Sequence, residues 1–253
     1  MINLSEPTKA LFRKEWYYHH SKFWKMPIAL VLFSCFTILS LKVLPILIQG
    51  MGFSIPEFTV SNAVYSYFNN INSMFAIIGI ILCVDIIAGE REKKTLLLLK
   101  TTVIKERSII LTKFFIRYSL MVLSSIIASL VAYVLITLLF SYFSAKLFLL
   151  SLLLHLLTLA CCMSIGVITS VISKTQLIAG VLGVACYFVL NLVSAMLSLA
   201  NLNEYNILNL SSILATSSIS SRALCADITI IVVIAFFSLT LSIYYFKHRS
   251  KEE

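Results

Sequence analysis

Charged residues are scarce in this chain. They make up 12% of its 253 residues against 60% apolar ones, and the mean hydropathy is +0.98. The surface of a water-facing domain needs about 25% charged residues. The polar intervals reach only about 25 residues, too few to fold as a separate soluble domain. Other absences narrow the chemistry. No G-x-x-x-x-G-K-[ST] loop is present to cradle nucleotide phosphates, and there is no H-E-x-x-H or G-x-S-x-G. The six cysteines form no C-x-x-C or Cys/His spacing for zinc. No catalytic residue, no metal site and no cofactor in this chain are therefore expected. Acids are few, eleven against twenty lysines and arginines, for a net charge of +9. The bases sit at the borders of apolar runs, a pattern of membrane orientation that argues against nucleic acid as partner. No cleavable signal peptide is expected, because no small-residue cleavage site follows the first apolar run.

What is abundant is apolar sequence in runs near the ~20 residues that cross a bilayer. Six such spans are read, at about 26–48, 65–88, 118–143, 147–173, 177–199 and 228–246. The fold class is therefore an all-α polytopic membrane protein, one transmembrane domain over residues 1–253. Residues 4–25 precede the first span. Phe12, Trp16, His19 and Phe23 recur there at helical spacing, with Lys9, Arg13, Lys14 and Lys25 off that stripe. This predicts an amphipathic helix lying in membrane lipid headgroups.

Six spans bring both ends of the chain to one side. With the N-terminus inside, 17 of the 20 basic residues face the cytoplasm and only Lys42, Lys146 and Arg222 face out. Both termini are thus expected to be cytoplasmic, in a cell membrane. Small residues spaced by four (Ser124, Ala128 and Ala132; Cys162, Gly166 and Ser170; Ala179 and Gly183) predict close helix packing.

Few polar groups lie at membrane depth. Lys42 either snorkels to the outer interface or faces a pathway. Asp85, four residues before Gly89, either faces a pathway or pairs with a nearby base such as Arg117. His155 reads as a packed, hydrogen-bonded side chain or as a relay. Tyr187, Phe188, Asn191 and Ser194 give the fifth span an apolar, aromatic character suited to amphipathic cargo. Lys42, Asp85 and these four form the set of candidate path residues.

The densest charge lies in the middle of the chain. "GEREKKTLLLLKTTVIKERSIILTK", residues 89–113, holds seven of the twenty bases and three of the eleven acids. A leucine block at 96–99 sits outside any span, and exposed apolar clusters usually mark contacts. The stretch suits docking on another protein.

That stretch resembles the ABC-2 type permeases, the membrane subunits of ABC exporters. They carry E-R-E-x-G-T followed by leucines after the second span, and a lysine near the start of the third. Glu90, Arg91, Glu92, Thr95, the leucines and Lys113 match this pattern. Lys94 stands where the family often has Gly, and Thr102 where it often has Pro. The resemblance implies a permease dimer, most simply of two identical copies, each bound to a separate ABC ATPase subunit that carries ATP and Mg. It implies that residues 89–113 hold a coupling helix, with Glu90, Glu92, Thr95, Lys100, Thr102, Lys105, Glu106 and Arg107 as the contact set. Phe12, Trp16 and Phe23 would anchor the interfacial helix beside it. Residues 200–227 would form an extracellular re-entrant segment that closes the outer gate. Compact permeases of this kind resemble exporters of amphipathic peptides of the phenol-soluble-modulin or bacteriocin type. Export of lipid, lipid-linked glycan or drug is the alternative cargo reading. An ATP-independent secondary transporter or channel is the alternative of another class, and it predicts inverted repeats and deep paired charges.

Overall fold

A computed structural model describes residues 6–23, 25–51, 58–95, 105–200, 206–214, 216 and 220–249. The apolar runs form helices because a chain in lipid must satisfy its backbone polar groups within itself. In order these are α1 (Glu6–Phe23), α2 (Lys25–Gly50), α3 (Val60–Val84), α4 (Glu106–Leu139), α5 (Ala145–Ile172), α6 (Gln176–Leu199), the short α7 (Leu210–Ile213) and α8 (Ser221–Arg249). A π-turn at Asp85–Gly89 and one further turn at Glu90–Glu92 continue α3. Six of the helices, α2 to α6 and α8, are long and apolar enough to cross a membrane. Together with the family assignment below, they make this a multi-pass membrane protein.

The packing has an inside and an outside. α3 and α5 bury most of their length, whereas α2, α6 and α8 bury less than a quarter of theirs. α5 is the hub and packs against α3, α8, α6, α4 and α7. All the predicted small-residue positions on α4, α5 and α6 are buried. At Gly166 a Cβ would stand 2.8 Å from the carbonyl oxygen of Ile80, so α3 and α5 touch backbone to backbone there. The outer helices instead present apolar side chains such as Leu32, Phe36, Leu182 and Phe237, a surface suited to lipid.

Several boundaries differ from the sequence reading. α4 starts at Glu106, about three turns before the apolar span expected from 118, so Lys113 and Arg117 are helical and buried. α3 starts at Val60, where Thr59 Oγ1 accepts from the Asn62 amide at 3.3 Å. α8 starts at Ser221, so the connection before it ends at residue 220 rather than 227. Hydropathy marks the lipid slab, and these helices continue past it. α2 runs through Pro45 to Gly50, just past the expected span end at 48. All six cysteines are free thiols.

Candidate functional site

The connections and helix ends divide the bundle into a basic end (α1, residues 85–95 and 105–117, Lys174) and a far end (residues 140–146 and 206–214). At the basic end the consecutive side chains of Glu90, Arg91 and Glu92 reach three different helices. Glu90 Oε1 lies 2.5 Å from Lys113 Nζ on α4. Arg91 donates to the carbonyls of Val171, at 3.4 Å, and Ser173 at the end of α5. Glu92 Oε2 accepts from the Gln176 amide at 3.2 Å, at the start of α6, where the helix dipole favours a carboxylate.

A buried ion cluster stands behind this motif. Lys113 is 1% exposed and Arg117 3% exposed, one turn apart on α4. Arg117 Nη2 donates to Asp85 Oδ1 at 2.8 Å, the pairing that the sequence suggested for Asp85. Glu15 of α1 completes it, 3.5 Å from Lys113 Nζ and 3.8 Å from Arg117 Nη1. Lys113 Nζ also donates to the Ile86 carbonyl at 3.3 Å. Two cations thus hold three carboxylates from α1, the π-turn and the turn beyond it. Desolvating these charges is costly, and their mutual pairing, together with the Ile86 carbonyl bond, compensates part of that cost. A cavity of about 250 Å³ opens beside the cluster, and the exposed Lys14 and Lys93 also line it.

The π-turn is supported from α5. Ser170 Oγ accepts from the Ile87 and Ala88 amides, both at 3.0 Å, and donates to the Val84 carbonyl at 2.6 Å. These are groups that a π-turn removes from the regular i→i−4 ladder. After Glu92 the helix closes with the Thr95 amide on the Glu90 carbonyl at 2.9 Å and the Lys94 amide on Arg91 at 3.1 Å. This double closure is a Schellman cap, whose C′ residue adopts left-handed backbone. Lys94 accordingly has φ 58°. The glycine common at this position in the resembling family has a backbone reason, and here a lysine bears the strain.

The predicted contact residues therefore separate into groups. Glu90 and Thr95 bond internally, Thr95 Oγ1 donating to Glu90 Oε2. Glu92 is exposed while bonded to α6, and Lys105 and Arg107 are exposed beside the half-buried Glu106. Lys100, Thr102 and the leucine block lie outside the described residues. On α1, Leu11 and Glu15 face the bundle, Leu11 against Ile109, and the rings of Phe12 and Trp16 stack at 6.2 Å. The side chain of Phe23 lies outside the described set.

The candidate path residues do not converge on one place. Lys42 is near the far end, 5.5 Å from the Phe140 ring centre, and Asp85 is at the basic end. On α6, Tyr187 and Ser194 are buried, with Asn191 half-buried on the same side and donating to the Tyr187 carbonyl at 3.1 Å, while Phe188 is exposed. Two residues of the site escaped sequence reasoning. Glu15 is the single acid between Lys9 and Lys25, which was the available signal. Ser170 read only as a small packing residue.

No His/Cys/Asp/Glu group among the described residues has the clustering of a metal site. Each charged group of the cluster is paired with another, which ties α1, α4 and the turns that follow α3 together. No curated protein matches the chain. A family model described as "ABC-2 family transporter protein" matches residues 47–250, from the end of α2 through α8. The chain therefore belongs to the ABC-2 family of transporter proteins, membrane subunits that lack a nucleotide-binding domain of their own and work with an ABC ATPase partner.

Proposed function

We propose that this chain is the permease subunit of an ATP-driven exporter of amphipathic peptides of toxin or bacteriocin type. Two copies pair in the cell membrane with both termini cytoplasmic. Each binds a separate ATPase subunit, which carries ATP and Mg, through residues 89–113. The observation that carries this reading is the ion pair Glu90–Lys113 within its cluster. It ties the two ends of the charged segment to each other, to α1 and to the π-turn under α3. Displacement of a docked partner is thereby delivered to the spanning helices without loss in a flexible loop. The ATPase changes the inward/outward balance because its closed, ATP-bound form has different affinity for the two permease conformations. The stacked pair of exposed Phe12 and half-buried Trp16 supports α1 as the element resting in lipid headgroups.

The peptide assignment is supported by the mixed character of α6, where Tyr187 stands beside Asn191 and Ser194. The test is co-purification with the ATPase subunit encoded nearest this gene. Reversing the charges together (Lys105→Glu, Glu106→Lys, Arg107→Glu) is expected to reduce pulldown while membrane insertion stays normal. Unchanged pulldown and transport would overturn the coupling assignment. ATPase stimulation by amphipathic peptides identifies the cargo class. Stimulation by lipids, lipid-linked glycans or drugs instead would replace that part of the proposal.

A further inference from the structure

At the far end, residues 206–214 between α6 and α8 are tucked into the bundle rather than spread over its surface. Leu208, Leu210, Ser211 and Ser212 are all buried. Leu208 packs in one cluster with Ala76 and Ile80 of α3, Cys162 of α5 and Tyr187 of α6. The contact holding it is Asn72, twelve residues after the start of α3, hence about three helical turns down that helix.

The hydrogen bonds of Asn72 are fully determined. Its Nδ2 donates to the Leu208 carbonyl at 2.9 Å and to Ser211 Oγ at 2.8 Å. A backbone carbonyl only accepts, so the amide orientation is set. Asn72 Oδ1 must then be the acceptor from His155 Nδ1, 2.5 Å away on α5. This makes His155 the Nδ1–H tautomer, with its ring edge-on to Phe75 at 5.3 Å. His155 Nε2 is left buried with no partner. The closed arrangement thus satisfies Asn72 completely and leaves one acceptor of His155 unsatisfied. If the 206–214 segment withdraws, Asn72 loses two bonds, while water reaching the cleft can serve both Asn72 and His155 Nε2.

We propose that Asn72 and His155 are positioning residues of the far-side gate. Asn72, oriented by His155, is the latch that holds Leu208 and Ser211 in the cleft between α3, α5 and α6. This rests on the reading of the chain as an exporter that releases cargo at its far end.

The test reads closure directly in the full chain in lipid nanodiscs. Ser212→Cys is the reporter, with the exposed Cys186 and Cys225 changed to serine, and the probe is a membrane-impermeant maleimide. With the latch intact, labelling is slow. Asn72→Leu removes all three bonds and is expected to speed labelling about tenfold or more, tenfold being the factor given by 1.4 kcal/mol. His155→Phe removes the bond to Oδ1 and is expected to speed it by a smaller factor. His155→Gln keeps an N–H donor and is expected to stay near the parent rate. A purely structural role predicts that Gln and Phe behave alike, and that result overturns the proposal. So does an unchanged rate in a folded Asn72→Leu. Where Asn72→Leu fails to fold, Ser211→Ala removes one latch bond from the segment side and carries the same expectation. Because the assay uses the permease without its ATPase, a negative result removes the latch and leaves ATPase docking standing. Failed pulldown with normal labelling does the reverse.

Discussion

Lys113 Nζ and Glu90 Oε1, 23 residues apart in sequence, meet at 2.5 Å beneath the bundle. Breaking a fully buried pair from one side costs about 3–5 kcal/mol; here Glu90 is half-buried and Lys113 keeps Glu15 at 3.5 Å, so the cost lies below that range. Lys113→Met and Glu90→Met are each expected to lower the thermal midpoint. The double substitution is expected to cost far less than the sum. A double-mutant cycle on unfolding in detergent measures this, and additivity would show that the two side chains do not interact.

Ser170 offers a sharper test, since one hydroxyl serves three backbone groups of the π-turn. Ser170→Ala removes the hydroxyl to which both buried amides donate, at about 1–3 kcal/mol for each amide left unsatisfied. Amide exchange at Ile87 and Ala88 is expected to accelerate well beyond that of their neighbours on α3. If only global stability falls and exchange there is unchanged relative to α3, the hydroxyl does not support the turn.

Lys94 carries left-handed backbone that a Cβ disfavours by roughly 1–2 kcal/mol. Lys94→Gly is expected to relieve most of that strain, less the entropy glycine adds to the unfolded chain. A small rise in thermal midpoint is the expected outcome, and Lys94→Ala, which keeps a Cβ, is expected to give none.

Gly166 and Gly50 make a matched pair for testing the close packing of α3 on α5. A Cβ at Gly166 would press on the Ile80 carbonyl oxygen at 2.8 Å, whereas one at Gly50 meets nothing within 4 Å. Gly166→Ala is expected to destabilise by about 1–3 kcal/mol through overpacking. Gly50→Ala is expected to be neutral or slightly stabilising. Equal thermal midpoints for the two variants would contradict the close approach.

Much of the architecture was legible because lipid imposes a strong filter. Apolar runs of bilayer length had to be helices, and small residues at spacing four on α4, α5 and α6 had to be where neighbours approach. The E-R-E stretch and Lys113 were legible as a motif, but the directions of the three side chains were not. Their targets on α4, α5 and α6 lie 23, about 80 and 84 positions away, distances over which sequence pattern carries no signal. The apolar spans marked only part of each helix for a related reason. Glu106–Arg117 looks polar enough to lie outside the membrane, yet the helix continues through it because Glu15, Asp85 and Glu90 neutralise Lys113 and Arg117 inside the fold.

The sequence by itself determined the class of molecule, the number of spans and the position of the charged segment, since each follows from local hydropathy and spacing. Only the tertiary structure decided that Glu15 belongs to the ion cluster, that Ser170 serves the π-turn and that Asn72 and His155 share one hydrogen bond. The physical reason is that burial and pairing of polar groups depend on which helices become neighbours. That choice is made by packing, after the local rules of helix formation are already satisfied.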